Sequence, residues 1–91
     1  MSIVVRFHPA NLTTEQYDST NDKVEAIGFP PEGLDYHVCF GPPDNLMVSE
    51  IWDSREQFEA FGEKLMPVLA EAGIEFSAEP EVFEVHNIEK R

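Results

Sequence analysis

Four short apolar runs and two longer stretches of helical period share this chain, and most changes of period carry a capping or breaking residue. Ile3 to His8 reads as a strand, with Ile3, Val5 and Phe7 pointing one way and Val4, Arg6 and His8 the other, until Pro9 closes it. A helix start follows: Thr13 with Gln16 has the form of a capping box, and Leu12 with Tyr17 that of a hydrophobic staple. Tyr17, Thr20, Val24 and Ile27 then share one helical stripe, and Gly28 is a natural stop. After the loop Phe29-Pro30-Pro31-Glu32-Gly33, the runs Leu34 to Phe40 and Leu46 to Trp52 flank Gly41-Pro42-Pro43-Asp44-Asn45 and predict a hairpin. Ser54 with Gln57 opens a second helix, whose stripe Phe58, Phe61, Leu65, Leu69 and Ala72 runs to Gly73. Pro67 predicts a kink or break in it near Leu65. Beyond a loop over Ile74 to Glu81, Val82 to Asn87 reads as the last strand and Glu89-Lys90-Arg91 as a frayed tail.

The order strand, helix, strand, strand, helix, strand is the βαββαβ, ferredoxin-like arrangement of the α+β class. It predicts one domain over residues 1–91. A four-stranded antiparallel sheet of order 4-1-3-2 would carry both helices on one face. On hydrophobicity alone, that face takes Ile3, Val5, Phe7, Tyr36, Val38, Phe40, Met47, Ile51, Phe83 and Val85. Alternation then leaves Val4, Arg6, His8, Asp35, His37, Cys39, Leu46, Val48, Glu50, Trp52, Val82, Glu84 and His86 on the open face. Large apolar residues are mixed there with ionisable ones, and covering by a second subunit would explain both.

The hairpin register sharpens this picture. If Gly41 pairs with Leu46, Cys39 faces Val48, His37 faces Glu50 and Asp35 faces Trp52. Arg6 would then lie between Glu50 and Glu84, giving a polar row with His8 and His86 towards its ends. An imidazole beside a carboxylate is how a proton-transfer group is oriented. His37 with Glu50 is therefore the first candidate for catalysis, and His86 with Glu84 the second. Arg6, Trp52, His8 and Cys39 are candidates for substrate binding: Arg6 for an oxyanion, Trp52 for stacking.

Each has a plainer reading. His37–Glu50 could be a cross-strand polar pair, Arg6 a member of a structural ion network, Cys39 a small buried residue and Trp52 core packing. No metal site is expected. The sheet spans roughly 15 Å at about 4.8 Å per strand, and no HxH or HxxxH pair draws the histidines together.

Composition removes several function classes. Eighteen acidic and six basic residues give a net charge of −12, which repels phosphate backbones and anionic membranes. No nucleic-acid or membrane partner is expected. The chain enters a strand pattern at once, without a basic and apolar leader, and its one cysteine fits a reducing, cytoplasmic setting. A chain of 91 residues buries a limited core, for which self-association is a common remedy.

The segments Tyr36-His37-Val38-Cys39-Phe40-Gly41, Ile51 to Phe61 and Val85-His86-Asn87, set in this element order, resemble the dimeric α/β-barrel superfamily. Its small bacterial members include antibiotic-biosynthesis-monooxygenase-like and stress-responsive barrel proteins. The resemblance implies a homodimer with sheets packed face to face, and a pocket between sheet and helices or near the barrel interior. It specifies no reaction. Haem-degrading relatives use a helix histidine, absent from both helices here. Oxygenase relatives use strand asparagine and tryptophan, of which Trp52 alone has a counterpart. Cyclase relatives use a histidine and a tyrosine, for which His37, His86 and Tyr36 are present.

Together these readings predict a small-molecule-binding protein acting as a cofactor-independent enzyme. Monooxygenase, cyclase or isomerase chemistry on a hydrophobic or aromatic substrate would suit His/Glu acid–base groups. The alternative is a non-catalytic dimeric ligand-binding or structural protein, its polar sheet face packed at the dimer interface.

Overall fold

A computed structural model describes all 91 residues. It places β1 at Ile3–Pro9, α1 at Thr14–Ala26, β2 at Leu34–Phe40, β3 at Met47–Trp52, α2 at Arg55–Glu71 and β4 at Phe76–Glu84. The strands form one antiparallel sheet in the order β2-β3-β1-β4, the 4-1-3-2 topology expected from the element order. No helix is long and apolar enough to cross a membrane.

Both helices start on side-chain caps. Thr13 Oγ1 accepts from the Gln16 backbone N–H at 3.1 Å, and Ser54 Oγ from that of Gln57 at 3.2 Å. Each satisfies one of the free N–H groups of a first turn. Gly28 and Gly73 follow the helix ends with φ of +99° and +78°. Contrary to the expected break, α2 runs unbroken through Pro67. Pro67 and Glu63, whose carbonyl loses its helical donor, are both exposed, so solvent can take the place of the missing bond.

The last strand is also a correction. It spans Phe76–Glu84 instead of Val82–Asn87, and most of the expected loop belongs to it. Pro80 and three glutamates argue against a central strand, but β4 is an edge strand, where one side of the backbone needs no ladder partner. Register shifts between Arg6 and Pro9 absorb its irregularity.

The largest correction concerns the faces. Val5 is fully buried and pairs with Glu50, while Ile3 pairs with Trp52 and Phe7 with Val48. Directly paired residues share a face, so Val48, Glu50 and Trp52 join Ile3, Val5 and Phe7 under the helices. His37 and Cys39, paired with Glu50 and Val48, follow them. Tyr36, Val38, Phe40, Met47, Ile51 and Phe83 are thereby turned to the open face, opposite to the assignment from hydrophobicity. Apolar residues occupy both faces of β2 and β3, so amphipathicity could not choose between them. The core beneath the helices centres on Ile3, Val5, Val24, Trp52 and Phe61.

Candidate functional site

The start of α1 is tied to the β2–β3 hairpin. Thr14 N–H donates to Pro43 O at 2.9 Å, and Leu46 N–H donates to Leu12 O at 2.8 Å. Leu12 is buried beside the first turn, and this anchoring brings Tyr17, one turn into the helix, over β2. Gly33 fixes the entry to β2. Its φ of +96° is a left-handed conformation that favours glycine, and a Cβ there would stand 2.5 Å from the Gln57 side-chain amide, which would have to move. The β2–β3 pairing shifts between Leu34 and Tyr36, so Leu34 rather than Asp35 faces Trp52. From Tyr36 onward the pairing matches the expected hairpin register, including His37 opposite Glu50.

These constraints assemble a continuous chain of hydrogen bonds. The oxygen of Tyr17 lies 2.7 Å from His37 Nε2, and His37 Nδ1 lies 2.6 Å from Glu50 Oε2. Trp52 Nε1–H donates to Glu50 Oε1 at 3.0 Å. An indole N–H only donates and an ionised carboxylate only accepts. Glu50 therefore takes one bond from Trp52 and one from a proton on His37 Nδ1. In the tautomer that carries its one proton on Nδ1, His37 leaves Nε2 as acceptor for the Tyr17 hydroxyl. Glu50 is only 4% exposed, and a carboxylate so placed would be costly without both donors.

The chain borders a cavity of about 80 Å³ between the sheet and the helices. Ten of its fifteen lining residues are hydrophobic, Phe7, Phe29, Leu65 and Phe76 among them, while Tyr17, His37 and Glu50 supply the titratable groups. No Lys or Arg lines it. The Phe29 ring meets the His37 ring edge-on with centroids 5.0 Å apart, helping to fix the imidazole plane. Burial, reinforced by Cys39, Glu50 and Asp18, pushes the Tyr17 hydroxyl up to about 12, so it remains a neutral phenol. Burial also raises the Cys39 thiol, with Asp18 adding to the effect.

Of the residues singled out in the sequence, only His37 and Glu50 border the cavity. Trp52 is 1% exposed, packs against Phe58 and Phe61, and acts through its bond to Glu50. Cys39 lies on the same sheet face, two residues along β2 from His37. Arg6 is exposed on the open face, between Ser49 and Glu81 instead of Glu50 and Glu84. His8 bonds Glu81 at 2.6 Å. Glu84 is exposed at the end of β4, and His86 is exposed beyond it. The expected polar row across the open face therefore does not form. No three His, Cys, Asp or Glu side chains converge on a metal-ligating position. Tyr17 was read from the sequence as a packing residue. Its staple position opposite Leu12 fixed it at the start of α1, and only the hydrogen bonds from that start to the β2–β3 hairpin bring it over β2.

No family model matches the chain, and no curated protein matches its sequence. Solved structures do match its shape. SnoaB, a cofactor-independent oxygenase from Streptomyces nogalater, superposes with a TM-score of 0.63 at 18% identity, over 96% of this chain and 93% of its own. A protein assigned as an antibiotic biosynthesis monooxygenase from Chloroflexus aurantiacus gives 0.62 at 17% identity, over 98% and 95% of the two chains. NE2512 of Nitrosomonas europaea, of unknown function, gives 0.62 at 11% identity, over 99% and 92%. The chain has the ferredoxin-like fold of antibiotic-biosynthesis-monooxygenase-like proteins.

Proposed function

We propose that this protein is a cofactor-independent enzyme that moves a proton on a small hydrophobic molecule held between its sheet and helices. The observation that carries this reading is the Glu50–His37 pair at the edge of an apolar cavity. Glu50 orients the imidazole and would stabilise the imidazolium formed when His37 takes a proton. Trp52 holds the second carboxylate oxygen, so the pair is fixed before any ligand arrives. The fold shared with a cofactor-independent oxygenase supports the same class of chemistry. An isomerase or cyclase would use the same proton step.

The protein would work as a cytoplasmic homodimer. Tyr36 and Val38, each 45% exposed, and Phe83, 53% exposed, form an open apolar face with Phe40, Met47 and Ile51. Such a face is costly in water and suits a second copy of the same sheet. His37 and Glu50 lie on the covered side, so a dimer formed through the open face would not pack them at its interface.

Deuterium incorporation from heavy water into single-ring enolisable ketones, followed by NMR, tests the proposal. Wild-type protein should accelerate exchange, and Glu50→Gln should lose that acceleration while remaining folded. Equal exchange by wild type and variant would overturn the role given to the pair.

A further inference from the structure

The polar side chains on the cavity wall are Tyr17, Thr20, Asn21, His37 and Glu50, and all but one are engaged within the chain. Tyr17 and Glu50 each bond His37, and the Asn21 amide donates to Glu25 Oε1 at 2.9 Å. Thr20 is the exception. It is only 7% exposed, and its hydroxyl takes part in none of the side-chain hydrogen bonds of the fold. No fully sealed side-chain oxygen or nitrogen lacks a partner, so Thr20 Oγ1 touches open space. The space that this buried residue borders is the cavity.

A buried hydroxyl without a partner weakens a fold. Valine has the same shape and β-branching with no polar atom, and it would continue the stripe of Tyr17, Val24 and Ile27. A polar group that breaks the local pattern and brings its own chain no bond is expected at a functional position.

We infer that the Thr20 hydroxyl binds and orients the molecule held in the cavity, by donating to an uncharged acceptor oxygen on it. This rests on the reading of the cavity as a ligand site and deepens it: Thr20 anchors, and proton transfer stays with His37 and Glu50. No covalent bond is made or broken at Thr20. The acceptor is uncharged because no Lys or Arg lines the cavity to balance a charge. Thr20 follows Tyr17 by three positions on α1, which sets their Cβ atoms about 5–6 Å apart on one face. A molecule anchored at Thr20 is thereby held one helical turn from the Tyr17–His37 contact. Ten apolar liners would accept it in many poses, and one directional bond selects among them.

Thr20→Val removes the hydroxyl and keeps the volume, and two probes of one shape read its effect. Cyclohexanone carries an acceptor oxygen, and methylenecyclohexane has a CH2 group in its place. Binding of each to wild type and variant is measured by NMR titration of the backbone amides, without turnover. Thr20→Val should weaken cyclohexanone about fivefold, as for one neutral hydrogen bond, and leave methylenecyclohexane unchanged. Its urea midpoint should equal or exceed that of wild type, since no bond within the fold is lost. Equal binding of cyclohexanone by variant and wild type would overturn the anchor and leave the acid–base reading to the exchange experiment. An equal loss for both probes, or a lowered urea midpoint, would make Thr20 a structural residue and overturn the anchor as well. If wild type binds neither probe, the anchor fails. Thr20-dependent binding of cyclohexanone without ketone exchange would uphold the anchor and sink the acid–base pair.

Discussion

His37 and Glu50 meet across β2 and β3 with Nδ1 2.6 Å from Oε2, under the helices and not on the open face of the sheet. The imidazole lies partly open to the cavity while the carboxylate behind it is almost fully buried. This asymmetry suits a proton-transfer pair: one member can meet the chain that leads to a ligand, and the other is shielded from water.

Glu50 should be more sensitive to truncation than to neutralisation. Glu50→Ala strands the Trp52 N–H and one His37 nitrogen in the interior, at a cost of about 3 kcal/mol. Glu50→Gln keeps an acceptor for Trp52 and should cost about 1 kcal/mol. Urea denaturation of the two variants beside wild type gives the comparison. Equal losses would mean that the two hydrogen bonds do not govern stability here.

Legibility differed between pairing and facing. Turn spacing at Gly41 to Asn45 gave the His37–Glu50 partnership correctly, because a hairpin register is a local property of loop length. Which side that pair faces depends on the register between β1 and β3, strands separated by residues 10–46. Val5 against Glu50 is a pairing that hydrophobicity would not choose. It becomes affordable only when His37 and Trp52 satisfy the carboxylate. Tyr17 was hidden for a similar reason. A tyrosine on an apolar helical stripe looks like core until the helix start is seen anchored to the hairpin.

Tyr17 sets an alkaline limit. Its proton is held more tightly in the folded chain, up to about 12, than at the ordinary value near 10 in the unfolded chain. The stabilisation this represents is complete below about pH 10 and is lost as pH rises through about 12. Denaturation followed across this window should show a decline that is reduced in Tyr17→Phe. An ultraviolet titration should show one of the two tyrosines ionising near 12 in wild type, and that component should vanish in the variant.

Cys39 should be slow to react. Its raised thiol stays protonated at neutral pH, and the thiolate is the reactive form. Iodoacetamide labelling of the native protein should lag well behind labelling in denaturant. Equal rates would contradict the partly buried setting of this side chain.

The open face should control association. Val38→Asp places a charge beside Tyr36, Phe40, Met47 and Ile51 without touching the cavity. Light scattering after size exclusion should give the mass of two chains for wild type and of one chain for the variant. A wild-type monomer would refute the proposed dimer and leave the cavity chemistry untouched.

The central claim is the direction of the Tyr17–His37–Glu50 chain, and long-range proton–nitrogen NMR of the His37 ring in mildly alkaline solution tests it most directly. The account predicts a neutral imidazole with its proton on Nδ1 and an unprotonated Nε2, and a changed Nε2 signal in Tyr17→Phe. A proton on Nε2 in the wild type would reverse the chain, make Tyr17 an acceptor and contradict the account.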